Sequence, residues 1–164
     1  MPPAAGAIIG TVMGLSQVLW LIIGGYMADN MGKNFMIKLS ALLAMLTAIM
    51  FVTSTIYQLN FGVLVLYSAL SGLAVLGGGA IFSLMSEKYP DSLAPAAIGY
   101  SEVFGIMASF AAPWSMGAVI QASGGSFAAA FVLFAVVEAV FLVLLMVLAR
   151  DTVSRPTVIA TPAE

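Results

Sequence analysis

Five apolar runs of transmembrane length, separated by short polar or turn-forming breaks, constrain this 164-residue chain more than anything else in it. Crossing ~30 Å of hydrocarbon takes about 20 mostly apolar residues in a helix. Lipid offers no partner to an unpaired backbone group, so each run has to be helical. The runs lie at residues 4–28, 35–56, 61–86, 95–121 and 127–149. Between them stand GGYMADNMGKN, YQLN, SEKYPDSLA and ASGGS. Composition agrees: 62% of residues are hydrophobic and 7% charged, where soluble domains carry roughly 25% charged residues. Strict alternation of the kind that marks strands is absent. Pro95 opens the fourth run, a place where its missing N–H costs nothing. The N-terminus lacks the basic region of a cleaved signal peptide, so the first run reads as a mature span. The expectation is an all-α integral membrane protein, with one transmembrane domain over residues 1–149 and a polar cytoplasmic tail over 150–164.

Charge placement supplies an orientation. Lys33 and Lys38 fall at the first connection, Lys88 at the third, and Arg150 and Arg155 after the last span, so all five positive charges share one side. Excess Lys and Arg mark the cytoplasmic face, which puts the C-terminus in the cytoplasm and the N-terminus outside, in a cell (cytoplasmic or inner) membrane. The net charge of -2 gives no surface for nucleic acid. With no cysteine and no histidine, disulfides, thiolate chemistry and most zinc or haem sites are excluded, and neither metal nor cofactor is expected. No nucleophile, base and metal-ligand constellation points to an enzyme, and no glycine-lysine phosphate loop points to ATP-driven transport.

The polar stretch after the first run carries more than topology. Gly25, Asp29, Gly32 and Lys33 form the pattern G-x-x-x-D-x-x-G-K. Gly32 permits a tight turn, Gly25 allows close backbone packing, and Lys33 anchors the cytoplasmic face. Asp29 is a boundary carboxylate able to accept hydrogen bonds from a helix N-terminus or to pair with a base. Taken alone, the stretch is equally an ordinary polar turn. The pattern resembles the loop signature of the major facilitator superfamily of secondary transporters, although Asn30 and Asn34 stand where that family commonly has Arg or Lys. The far end of the chain is similar to the family's last two helices: an acidic-aromatic-proline loop, a small-residue helix holding Pro113 and Gly117, and a GS turn into an AAF run.

The resemblance implies helices eight to twelve of a twelve-helix transporter, a partial six-helix bundle from a truncated or split C-terminal half. It implies transport of a small solute by alternating access, with a proton or ion as possible co-substrate and the lipid bilayer around it. The missing N-terminal half, or a second copy, completes the cycle. The alternative is a non-transporting assembly or regulatory subunit that keeps the fold.

Individual residues follow. Gly6, Gly10 and Gly14 repeat every four residues and form one stripe suited to close helix packing, and Pro113 is expected to kink its helix. Glu138 lies near mid-membrane and Glu102 nearer the cytoplasmic end, both candidates for proton or substrate coupling. Gln17, Tyr67, Ser71, Tyr100 and Trp114 are candidates to line a cavity; hydrogen bonding between helices is the competing role for any serine among them. Tyr26, Tyr57 and Tyr89 read as interface anchors.

Overall fold

A computed structural model of the protein describes residues 3–148, so Arg150, Arg155 and the expected tail lie outside the described residues. Helices account for the architecture throughout: α1 (Pro3–Met31), α2 (Lys33–Ile56), α3 (Phe61–Ser71), a 3-10 turn (Gly72–Val75), α4 (Gly78–Lys88), α5 (Ala94–Ala122) and α6 (Phe127–Leu148). Phe61–Lys88 is continuous enough to count as one span, giving five helices long and apolar enough to cross a membrane. The shortest is 21 residues, about 32 Å at ~1.5 Å per residue, which already matches the hydrocarbon thickness.

Boundaries move most at the first connection. Sequence places residues 29–34 in a loop, whereas α1 continues to Met31 and α2 starts at Lys33, leaving Gly32 as the whole connection. Asn30 stays helical by donating from Nδ2 to the Tyr26 carbonyl at 2.8 Å. Gly32 has φ 92° and ψ 134°, a conformation that glycine alone adopts without strain. Its N–H closes α1 on the Ala28 carbonyl at 3.0 Å, and its own carbonyl accepts from Met36 N at 3.1 Å to open α2.

The third span departs from one regular helix. It is capped at Asn60, whose side chain accepts from Val63 N at 3.0 Å. It then tightens into the 3-10 turn before resuming at Gly78. Hydroxyl and indole donors of the neighbouring helices reach carbonyls at this irregularity. Ser16 Oγ donates to Ser68 O at 3.1 Å, Trp20 Nε1 to Ala69 O at 3.3 Å, and Ser40 Oγ to Ala74 O at 2.6 Å. Irregular backbone at membrane depth needs such partners. Glycine also lets the helices close in. A Cβ on Gly72 would lie 2.6 Å from the Ser16 backbone, and one on Gly24 only 2.1 Å from the Leu76 carbonyl oxygen.

These contacts make α1, α2 and the third span the core, where Ala28, Met36, Leu76 and Ala80 are buried and Trp20, Ile37 and Leu73 pack around them. Helix α6 lies along α2, with Ala48 and Ala130 fully buried and Phe51 stacked on Phe131 at 5.5 Å between ring centroids. Helix α5 packs only on α4 and α6 to any extent and buries Ala94 alone. It runs unbroken through Pro113, as a membrane helix can when neighbouring groups absorb the lost hydrogen bond.

Candidate functional site

Two places in the fold are candidates, a polar depression at the α1–α2 turn and an apolar cleft holding one carboxylate. The first is the α1–α2 turn. A polar depression of about 430 Å³ is lined by Asp29, Gly32, Lys33, Asn34, Leu84 and Glu87. Sequence order separates Lys33 from Glu87 by 54 positions, yet their side chains form an ion pair that ties the turn to the end of α4. The Lys33 side chain is 19% exposed and that of Glu87 59%, so the pair sits at the rim rather than in a dry interior. Helix geometry explains why they meet: the one-residue turn fixes Lys33 at the start of α2, while α4 packs on both α1 and α2 and ends one residue after Glu87. Lys33 takes Glu87 as its partner, whereas Asp29 is exposed in the same depression.

Within the signature, Gly25 shares its expected role with its neighbour: its Cα lies 3.8 Å from where a Cβ on Gly79 would stand. A Cβ on Gly25 meets nothing within 4 Å, while Gly24 faces the Leu76 backbone. The four signature residues therefore act as a helix end, a reversal and a tether, with the closest approach one position earlier.

The second place is a cleft of about 480 Å³ among α2, the third span and α6. Ile37, Ser40, Ala44, Gly77, Gly78 and Phe141 contribute to its walls, and Glu138 is its acidic member. Gly77 holds the floor close to α2, since a Cβ there would lie 2.9 Å from Ser40 Cβ and 3.1 Å from Ile37 Cα. Of the two carboxylates expected to share coupling, only Glu138 enters this cleft; Glu102 lies on the exposed surface of α5. The structure does not gather them into one site.

The expected cavity-lining residues also divide. Ser71 is 2% exposed, and its Oγ donates to the Ser68 carbonyl at 2.7 Å, which spends the hydroxyl inside helix packing rather than on a cavity. Gln17 and Tyr67 are half-buried on α1 and α3. Tyr100 and Trp114 stand outward on α5, 71% and 78% exposed. The Gly6, Gly10 and Gly14 stripe meets nothing within 4 Å. Close packing of α1 uses Ser16, Trp20, Gly24 and Ala28 instead, the same four-residue spacing turned by about 200° from Gly14 to Ser16.

Glu87, Ser40 and Gly24 are the working residues that sequence patterns did not single out. Glu87 carries a usable signal, a carboxylate at a span end on the same membrane side as Lys33. Ser40 and Gly24 carry none, because Ser and Gly are common throughout membrane helices. Comparison of the chain with protein-family models, with curated proteins and with solved structures finds no match.

Proposed function

We propose that the chain is the C-terminal half of a secondary transporter of the major facilitator type, its five helices corresponding to positions eight to twelve, and that it moves a small solute by alternating access. The observation that carries this reading is the signature turn. Gly25, Asp29, Gly32 and Lys33 occupy a helix-reversal-helix junction, and the lysine ties that junction to the end of α4 through Glu87. The partner lies 54 positions away in sequence, so the junction is packed as part of the helix bundle and does not stand free of it.

A tether of that kind suits a bundle that moves as one body. Alternating access rocks two helical bundles about a site near the bilayer midplane, and the bundle described here supplies one wall. The exposed surfaces of α1 and α5 are the faces left for the second bundle, from the remaining helices or a second copy. In this reading the chain is a multi-pass protein of the cytoplasmic or inner membrane, with the C-terminus in the cytoplasm. The competing role, a subunit that keeps the fold without transporting, shares the turn but needs no opening path through the bundle.

The test is topology, read by single cysteines placed at Gln58, Ser92, Ser123 and Thr157 in a chain that has none. Labelling in intact cells by a membrane-impermeant thiol reagent is expected at Gln58 and Ser123 only. Labelling at Ser92 or Thr157 overturns the assignment, because the signature turn then faces the wrong side.

A further inference from the structure

A carboxylate alone in an apolar cleft sets a specific requirement. Glu138 is 11 residues into α6, which starts at Phe127, so it sits about 16 Å along the helix, near the bilayer midplane. The only ion pair among the described residues is Lys33–Glu87, so no basic side chain answers it. The hydroxyl nearest in kind, Ser40 Oγ, is already committed to the Ala74 carbonyl at 2.6 Å. No other titratable side chain lines the cleft from α2, the third span or α6. At about 480 Å³ the space falls within the range of small-molecule sites, ~300–1,000 Å³. Val137 and Phe141, half-exposed on either side of Glu138, form its rim on the outer surface of the bundle.

From this geometry we infer that the Glu138 cleft binds a lipophilic cation, an apolar molecule with a single positive charge, admitted from the bilayer. A negative charge at this depth is costly unless it is answered. A proton answers the charge and leaves the cleft unfilled; a lipophilic cation does both. A ligand with several polar groups is excluded by walls that offer one free polar group. The cleft is lined by α2, the third span and α6, not by the α1 and α5 faces left for a second bundle, so the inference adds a site beyond the one the transport reading needs. Its test measures binding to this chain rather than topology, so the two can fail separately.

The probe is tetraphenylphosphonium, a permanent cation with an apolar surface, followed by equilibrium dialysis against the full chain in lipid nanodiscs. Saturable binding is expected at neutral pH, weakening as acid protonates the carboxylate. Glu138→Gln is expected to weaken it about a hundredfold, as for breaking a desolvated charge pair. Ala44→Phe, which fills the cleft and keeps the carboxylate, is expected to do the same, and Asp91→Asn in the third connection to leave binding unchanged. Protection of Glu138 from a hydrophobic carbodiimide by the cation tests the site in the unmodified chain. Absence of saturable binding, changes below about threefold in both cleft variants, or carbodiimide reaction undiminished by the cation overturns the inference.

Discussion

Replacing Gly24 with alanine adds one methyl group where the structure has no space for it. The new carbon falls 2.1 Å from the Leu76 carbonyl oxygen, against a comfortable separation of ~3.5 Å, so α1 and the third span must part by about 1.4 Å. The obstacle is backbone, which cannot swing aside as a side chain can. That separation stretches Ser16 Oγ to Ser68 O from 3.1 Å and Trp20 Nε1 to Ala69 O from 3.3 Å beyond hydrogen-bonding range. Overpacking costs ~1–3 kcal/mol and each lost interhelical bond ~0.6 kcal/mol. Alanine's better helix propensity returns ~0.5–1 kcal/mol. The net expectation is destabilisation by about 1–4 kcal/mol. Denaturant titration in mixed micelles, followed by circular dichroism, measures it. Gly25→Ala is the matched control: same chemistry, one residue on, with nothing within 4 Å of the added carbon. If the two variants unfold at the same denaturant concentration, the close approach of α1 to Leu76 does not exist.

Two further outcomes follow from the polar contacts. A double-mutant cycle with Lys33→Met and Glu87→Gln is expected to return a coupling of about 1 kcal/mol or less that shrinks as salt rises, because the pair sits at the rim; a larger, salt-insensitive coupling contradicts that placement. Ser40→Ala removes the donor to Ala74 O and is expected to cost ~0.6–1.7 kcal/mol in the same unfolding assay, whereas Ser109→Ala, whose hydroxyl serves its own helix at Gly105 O, is expected to change stability far less.

Span number was legible because hydrocarbon thickness sets a length that no other run in the chain satisfies, and the five helices fall where that length puts them. Helix ends were less so. Asp29 and Asn30 look like loop residues by composition, yet a helix near the membrane surface keeps them easily, and the reversal shrinks to Gly32. Which face of a helix packs was not legible at all. In a soluble helix the apolar side announces itself, but along α1 apolar residues surround the axis, so residue size alone favours the Gly6, Gly10, Gly14 stripe and nothing marks the Ser16, Trp20, Gly24, Ala28 stripe. The second wins because its donors meet carbonyls at the 3-10 turn of the third span. That turn depends on long-range packing, and locally the sequence offers only the glycines at 72 and 77–79, which membrane helices tolerate in any case. For the candidate sites, Glu138 was visible as an intramembrane acid, while the cleft around it exists only once α2, α4 and α6 are assembled.

The single-residue joint at Gly32 bears on how the first two spans sit in the bilayer. A helix can settle at its own depth, independent of its successor, only if slack chain links the two. Here there is none: the last turn of α1 and the first turn of α2 share Gly32 in their hydrogen bonding. The two ends are held at one depth, so any sinking or tilting of one carries the other. In the finished fold the depth of one span therefore sets the depth of the other, and the ion pair from Lys33 to Glu87 brings the end of α4 to the same level.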